Sequence, residues 1–304
     1  MLTRVTSFVQ KSLSGQCARL RVRYCTLSSM KQFSILLFVS FFALAAAASG
    51  AELKPKTTAA FDKYVAATEQ RFSSELKPGG PFLYIDALAA QERDADYARL
   101  RNGEILIDKR TTQAPGVDKD VPDGMVHHWV AVVFVPGVTL AQVLPVVKDY
   151  DHRADLYKPE VIASRLVSHQ GDDYKIFLRL YQKKFTTVVF NSDYNVHWGE
   201  VTPQEYYSNS ISTRIAQVQD SDHPDGAEYP VGGGSGYLWR LNTYWRFAEK
   251  DNGVYIQCEA LSLTRDIPTG LGWLLKPLVT RIPRDSLNKA LGRTRDVVLQ
   301  KAGK

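Results

Sequence analysis

The chain is short of cysteine, and this limits how its fold can be held together. Only three cysteines occur in 304 residues, and two of them, Cys17 and Cys25, fall within the first 51 residues. Cys258 alone remains in the rest of the chain, which excludes an internal disulfide and a cysteine-based zinc site there. The fold must therefore rest on its hydrophobic core, and a segment of this length is large enough to form one.

Acidic residues are missing from the first 51 residues, which hold six basic ones. Those six account for the whole formal charge of +6, because the other 32 basic residues are balanced by 32 acidic ones. A nucleic-acid-binding protein usually needs a basic face that displaces counterions from phosphates. We therefore expect no nucleic-acid partner.

The beginning of the chain has the order of residues found in export signals. Lys31 precedes the apolar run Phe33–Ala48, and small residues follow it at 49–51. This pattern predicts a signal peptide over 30–51 and a periplasmic or secreted protein. The run has 16 residues, whereas a spanning helix needs about 20; a retained anchor is the alternative. We interpret residues 1–29, rich in Arg and Ser, as an over-called or transit-like leader in front of Met30.

Catalytic and metal-binding motifs are also missing. Neither GxSxG nor HExxH occurs, and the glycine cluster 232–236 lacks the Lys-Ser/Thr of a phosphate-binding loop. His127 and His128 are adjacent on a predicted strand, so they face opposite sides and cannot easily chelate one metal. We predict no catalytic residues, no metal and no cofactor.

Hydrophobic periodicity predicts helices near both ends of the segment that follows residue 51. Apolar residues recur at helical spacing over 57–76, and shorter helices are expected over 90–101 and 139–150. An apolar helix over 271–281 is interrupted by Pro277, and Pro283 suits the first turn of a new helix that runs to about residue 300.

Most of the remaining chain is predicted to form strands. Strands are expected over 104–109, 127–135, 160–168, 174–184, 187–198, 205–216, 237–248 and 253–264. The last two flank Asp251-Asn252-Gly253, and Asn-Gly is a strong hairpin signal. Connected strands of this kind favour an antiparallel sheet over βαβ units.

This order of elements predicts an α+β helix-grip fold, in which a curved antiparallel sheet wraps around a long C-terminal helix and an additional N-terminal helix is present. We assign 52–124 to an N-terminal helix and strand extension and 125–304 to the helix-grip domain, together forming one globular unit. A sheet wrapped around a helix leaves a cavity that suits an apolar ligand, because the free energy of burial scales with apolar area.

Four segments carry a resemblance to a known superfamily. They are HHWVAVVFVPG (127–137), YKPEVIASRLVS (157–168), GYLWRLNTYWRF (236–247) and the run 253–287. They resemble a bacterial branch of the START-like (SRPBCC, polyketide cyclase-like) superfamily, and the resemblance covers most of 57–300. It implies a helix-grip domain with a ligand tunnel. Relatives include lipid-transfer, coenzyme Q-binding, hormone-binding and cyclase proteins, so the fold does not choose a function.

Strand alternation in the hairpin 237–264 divides its residues between two faces. One face, together with the C-terminal helix, supplies candidates to line the cavity: Trp239, Leu241, Trp245, Phe247, Ile256, Leu287 and Leu291. The alternative for each is ordinary core packing. With Asn252-Gly253 as the turn, Arg246 lies opposite Glu259 on the other face.

Three polar residues are candidates to orient a ligand head group: Arg179, Arg246 and Glu259. For Arg246 and Glu259 an outer, salt-bridged face is the favoured interpretation, and an inward-facing buried pair is the alternative. Arg179 could instead project outward or pair with a nearby acid.

The segment 266–279 is a candidate gate, because glycines and a proline interrupt an apolar run. Gly270, Trp273 and Leu274 are its principal residues, and it could open for a lipid or make transient contact with a membrane surface. A broken core helix is the alternative.

Three functions fit these features. The first is a monomeric carrier or sensor of a lipid or other apolar molecule outside the cytoplasm. The second is a cyclase- or hydrolase-like enzyme that uses the same cavity, which would need an inward-facing acid–base pair such as Arg246/Glu259 or Asp193/His197. The third is a structural envelope protein with a filled core.

Overall fold

The computed structural model describes residues 50–118, 120–183, 186–267 and 272–303, and in the last helix it describes side chains from residue 281 onward. The predicted leader 1–29 and nearly all of the predicted signal peptide 30–51 lie outside the described residues. No helix in the described ranges is long and apolar enough to cross a membrane.

The described helices comprise five α-helices and one short 3-10 helix at Tyr84–Ala87. The α-helices are α1 Pro55–Glu75, α2 Ala90–Arg101, α3 Leu140–Lys148, α4 Arg153–Leu156 and α5 Gly272–Lys301. Helix α3 begins after Thr139, whose backbone N–H donates to the Gln142 side chain at 3.0 Å, an N-terminal capping interaction that satisfies a free amide.

Eight strands form one antiparallel sheet in the order β1-β2-β8-β7-β6-β5-β4-β3. They are β1 Leu106–Lys109, β2 Gly124–Pro136, β3 Val161–Gln170, β4 Asp173–Lys183, β5 Thr187–Thr202, β6 Glu205–Gln217, β7 Arg240–Lys250 and β8 Gly253–Arg265. Helices α3 and α4 are inserted between β2 and β3, and α5 follows β8. The predicted α+β helix-grip fold is confirmed.

The sheet has an inner face, which packs against α3 and α5. Inward residues of the central strands, such as Val133, Ile256 and Phe247, share one buried cluster with Leu287 and Leu291 of α5. These contacts hold the C-terminal helix across the sheet, because its apolar positions recur on one side.

The outer face of the sheet is covered by the N-terminal segment. Phe61, Tyr64 and Phe72 of α1 pack with Tyr244 and Leu261. The 3-10 helix and α2 cover outward residues of β2 and β8 next to this cluster. The central strands of the sheet are therefore covered on both faces.

The turn of the β7–β8 hairpin differs from the prediction. Asp251 and Asn252 both have φ near 56°, and Lys250 pairs with Gly253. Arg246 consequently lies opposite Gln257, and the predicted pairing of Arg246 with Glu259 is wrong. Asp and Asn tolerate the left-handed conformation that a two-residue turn requires.

Gly253 belongs to the strand, and the reason for a glycine there is close packing. A Cβ atom at this position would lie 2.5 Å from the Phe134 ring and 2.5 Å from the Val135 carbonyl oxygen. The Asn-Gly pair thus identified the hairpin correctly but placed its turn one residue too late.

The C-terminal helix also differs from the prediction, because α5 continues through Pro277 and Pro283 without a break. A proline inside a helix costs about 3 kcal/mol. The buried contacts of Leu287, Leu291 and Val298 with the sheet offset part of this cost.

Candidate functional site

The middle of the inner face carries a row of residues that is not fully buried. Four inward residues lie side by side on neighbouring strands: Trp129 on β2, Ala260 on β8, Thr243 on β7 and Ser210 on β6. All four are half-buried, although they point inward from central strands. We call these four residues the central row. In a fully packed interior such positions would be inaccessible.

On β2 and β8 the inward residues on both sides of the central row are buried. Towards the hairpin turn, Ala131 and Cys258 are at most 1% exposed, and on the other side His127 and Ser262 are at most 7% exposed. On β7 the two neighbours of Thr243, Leu241 and Trp245, are half-buried. The incompletely covered part of this region is therefore the central row together with its neighbours on β7.

The predicted cavity residues fall into three groups. Phe247, Ile256, Leu287 and Leu291 are buried together in the inner core. Leu241 and Trp245 are half-buried beside the central row. Trp239 requires a correction, as the next paragraph describes.

Trp239 precedes β7, which begins at Arg240. It is 4% exposed and packs in the outer cluster with Phe61 and Tyr244. The alternation of side chains holds only within a strand, so extending it to Trp239 assigned this residue to the wrong face.

Hydroxyl groups accompany the aromatic residues on the inner face. The Thr243 hydroxyl accepts a hydrogen bond from the Trp245 indole N–H at 3.2 Å. Tyr194 on β5 is 4% exposed, and within the described part of the chain its hydroxyl has no hydrogen-bond partner. Sequence reasoning missed these groups, although Ser208, Ser210 and Ser212 recur with a period of two and thereby mark one face of a strand.

Arg246 is buried on the outer face, beneath α1. It is 2% exposed, and it donates to Glu75 Oε2 and to the Phe82 carbonyl oxygen, each at 2.5 Å. The predicted outer, salt-bridged face is therefore present, but the N-terminal helix covers it. Arg246 points away from the inner face.

Glu259 lies in the same outer layer and is fully buried. Its carboxylate accepts hydrogen bonds from His128 Nε2 at 2.5 Å and from Arg71 of α1. The Tyr64 hydroxyl lies 2.8 Å from His128 Nδ1. This chain of bonds attaches α1 to the centre of the sheet.

The buried network determines the charges of its members. Burial lowers the pKa of His128, although Glu259 acts in the opposite direction. Burial by itself would raise the pKa of Glu259, but its contacts with His128 and Arg71 outweigh this effect and lower the pKa. The network therefore contains a neutral imidazole and an ionised carboxylate whose counter-ion is Arg71.

Arg179 also lies on the outer face. Its Nε donates to Asn191 at 2.7 Å, and its Nη1 pairs with Asp225 at 2.6 Å. All three polar candidates for ligand orientation, Arg179, Arg246 and Glu259, are thus paired on the face opposite to the central row.

The second acid–base pair that an enzyme would need, Asp193 with His197, is not formed either, because each residue has another partner. Asp193 lies 3.6 Å from Arg214, whereas His197 pairs with Asp173 at 2.8 Å. Both residues alternate with the inward positions of β5 and lie on the outer face. No group of three or more His, Cys, Asp or Glu residues in the described ranges could hold a metal ion.

The candidate gate is described only in part. Gly270 lies outside the described residues, and Trp273 and Leu274 belong to the first turn of α5, where side chains are not described. The glycine cluster that precedes β7 pairs with the start of the described chain, since Gly232 and Gly234 accept hydrogen bonds from Leu53 and Ala51.

A groove of about 760 Å³ lies on the outer side, between α1 and strands β3–β6. Glu69, Asp173, Lys175 and His197 are among the residues that line it. Apolar side chains, among them Phe72, Leu76 and Ile211, line it as well, so this groove is mixed in character.

Several solved structures are similar to this chain. A STAR-related lipid transfer protein from Xanthomonas axonopodis is 16% identical, with a TM-score of 0.38, and the match covers 60% of this chain and 96% of that chain. Human STARD10 is 10% identical, with a TM-score of 0.40, and the match covers 70% of this chain and 81% of that chain.

An aromatase/cyclase, Zhui, from a Streptomyces species is 11% identical, with a TM-score of 0.37, and the match covers 58% of this chain and 96% of that chain. Two of these three structures are named as a lipid transfer protein and an aromatase/cyclase, kinds of protein that the sequence resemblance named. At these identities and TM-scores the similarity carries no argument about function. No protein-family model and no curated protein matches the chain.

Proposed function

We propose that this protein binds a lipid or another hydrophobic small molecule in a cavity between the inner face of the sheet and α5, outside the cytoplasm. The observation that carries the proposal is the incomplete burial of the central row, which lies on central strands that helices and loops cover on both faces. Transfer and sensing are both compatible with such a site.

The chemistry of the inner face supports an amphipathic ligand with a large apolar part. Trp129, Trp245 and Leu241 offer apolar surface, and burying it releases about 25 cal/mol for each Å² removed from water. Ser210 and Thr243 supply hydroxyls that can bond to a polar part of the ligand.

Two alternatives receive less support. A cyclase- or hydrolase-like enzyme was expected to use Arg246/Glu259 or Asp193/His197, and all four residues have other partners on the outer face. A structural protein with a filled core would be expected to bury the central row completely.

Export is supported by the sequence of the leader, in which Lys31 and the apolar run Phe33–Ala48 precede the described chain. The proposal includes a monomeric state and transient contact with a membrane surface during loading. The candidate gate at 266–279 would supply that contact.

The space beside the central row can be tested by filling it. Ala260→Phe should leave the protein folded, because the ring enters the proposed cavity, and should abolish ligand binding. Ala131→Phe is the matched control on the neighbouring strand, where the alanine is fully buried. Its ring should cost about 1–3 kcal/mol by overpacking. Urea unfolding of both variants compares the two costs, and an equal loss of stability would support the filled core instead.

The ligand itself can be sought by native mass spectrometry of residues 52–304 purified from the envelope of the host, followed by organic extraction. We expect a defined hydrophobic adduct in the wild type and none in Ala260→Phe. An unliganded mass that persists after incubation with a panel of lipids would contradict the proposal.

A further inference from the structure

One half-buried cation lies on the inner side, next to Tyr150 of the inner core cluster. Arg153 begins α4, and its guanidinium carbon lies 4.6 Å from the ring centroid of Tyr150 and 5.8 Å from that of Tyr157. Its Nη2 donates to the Val147 carbonyl oxygen at 2.7 Å. The side chain is therefore held in a defined position between two aromatic rings.

Both rings connect Arg153 to the interior. The Tyr150 hydroxyl accepts a hydrogen bond of 2.8 Å from the Trp198 indole on β5, and the Tyr157 hydroxyl lies 2.9 Å from Thr294 Oγ1 on α5. Arg153 thus stands between the sheet and the C-terminal helix.

A row of stacked rings leads from Arg153 towards the central row. Trp198, which donates to the Tyr150 hydroxyl, stacks on Phe247 with ring centroids 5.5 Å apart. Phe247 in turn stacks on Trp245, at the border of the central row, with ring centroids 6.3 Å apart. Arg153 and the central row are therefore connected through one layer of the inner face.

The acids closest to Arg153 in the sequence have other partners. Asp149 pairs with His152 at 2.7 Å, Asp155 pairs with Lys158 at 3.2 Å, and Asp151 accepts the Leu166 backbone N–H at 2.8 Å. Among the described residues no carboxylate forms an ion pair with Arg153.

The Nε atom of Arg153 is buried and has no hydrogen-bond partner among the residues that the structure describes. A buried donor without an acceptor is destabilising, and an arginine in this state can be satisfied by an incoming anion. The planar guanidinium offers donors in the geometry that carboxylate and phosphate oxygens match.

We propose that Arg153 is an anion-binding subsite for the head group of the hydrophobic ligand, which would then be a single-chain amphiphile with a carboxylate or a phosphate at one end. Its tail would lie along the central row. This inference rests on the proposed function, because it assigns the polar end of the same ligand.

Three probes with the same tail separate the head groups: dodecanoate, dodecyl phosphate and dodecanol. Binding to the intact chain is measured by calorimetry below the critical micelle concentration of each probe. We expect the wild type to bind an anionic probe 10- to 100-fold more tightly than dodecanol, since a hydrogen bond to a charged group contributes an amount of this order. Either anionic probe alone would identify the preferred head.

The variant Arg153→Gln should lose that preference and retain its affinity for dodecanol. Arg165→Gln is the matched control, because Arg165 is exposed and stacks on one ring, that of Phe177, at 4.3 Å; it should bind like the wild type. Arg153→Lys keeps the positive charge and should retain part of the preference. It serves as the test variant if Arg153→Gln fails to fold.

The outcomes distinguish this inference from the proposed function. If the wild type binds dodecanol and both anionic probes equally, or if Arg153→Gln keeps the preference, the anion subsite is overturned and the hydrophobic site stands. If the wild type binds none of the three probes, and native mass spectrometry of the protein from its host finds no adduct either, the proposed function itself fails.

Discussion

Two adjacent histidines show that a shift of one residue along a strand changes the face on which a side chain lies and the partners that it meets there. His128 points to the outer face, where Glu259 and Tyr64 bond to both of its ring nitrogens. His127 points to the inner face, is 3% exposed, and lies 3.0 Å from the Thr264 hydroxyl. Burial favours the neutral imidazole at both positions, but only His128 has a carboxylate that opposes this effect.

His127 should make the protein sensitive to mild acid. Burial lowers the pKa of His127 to about 4, and the charge of Lys109 acts in the same direction. An unfolded histidine titrates near 6.5. Between these values the unfolded chain binds a proton and the folded chain does not. The free energy of unfolding should therefore be highest above pH 6.5 and fall by about 3 kcal/mol as the pH drops towards 4.

Urea unfolding between pH 7 and pH 4 measures this effect. His127→Gln should reduce the slope of stability against pH by up to about 1.4 kcal/mol per unit, the value for one proton. His223→Gln is the control, because His223 is exposed and its bond to Asp220 raises its pKa. Equal slopes in His127→Gln and the wild type would show that His127 is not held neutral by the fold.

At the scale of single elements, the β7–β8 hairpin determines which residues share the inner face. Its two-residue turn shifts the cross-strand partner of Arg246 by two positions relative to the prediction, from Glu259 to Gln257. A shift of two positions preserves the face of every side chain, whereas a shift of one would reverse it. The assignment of Leu241, Trp245 and Phe247 to one face therefore survived the wrong register.

Substitutions at position 252 test the backbone conformation of this turn directly. Asn252 has φ near 56°, which glycine accepts without strain and which a β-branched residue strongly disfavours. Asn252→Val should lower the free energy of unfolding by about 1–2 kcal/mol. Asn252→Gly, the matched control, should change it by less than about 0.5 kcal/mol. Similar urea midpoints for the two variants would argue against a positive φ at this residue.

At the scale of the whole molecule, the N-terminal segment completes the core. Residues 50–304 form one compact unit, in which α1 covers the outward residues Tyr244 and Leu261. Glu75 and Arg71 of the same helix are the counter-ions of Arg246 and Glu259. Without α1, two buried charges would lose their partners, and such a loss costs about 3–5 kcal/mol for each.

A chain that begins at residue 82 should consequently fail to fold, because the whole stability of a domain is about 5–15 kcal/mol. Circular dichroism and thermal unfolding of this truncated chain, compared with residues 50–304 prepared in the same way, measure the effect. A monomeric truncated protein with a cooperative transition would show that the helix-grip part is stable without its N-terminal extension.

The fold was largely predictable because its signals are local. Strand alternation, the hairpin residues and the amphipathic face of the C-terminal helix depend on residues close in sequence, and each identified the right element. The predicted ends of strands and helices were wrong where contacts between distant residues determine them, as at Asp251-Asn252 and at Pro283 within α5.

The candidate site was predictable only in part. Periodicity grouped Leu241 and Trp245 on the inner face, since the two sides of a strand follow from the chain itself. How deeply a residue is buried depends on what covers it, and this could not be inferred for Ala260 or Ser210. The same limit applied to Arg246, because nothing local indicates that α1 lies above it.

The sequence by itself thus determined the sheet, the helices and the division of side chains between two faces, because these depend on periods of two and 3.6 residues. Only the tertiary structure decided which charges are paired and which inward positions stay open. Arg71 and Glu259 are 188 residues apart in the chain. Arg153 lies on α4, and it contacts the inner face only because the fold places α4 between the sheet and α5. Such contacts between distant residues carry no local pattern, and they are the contacts on which the proposed ligand site depends.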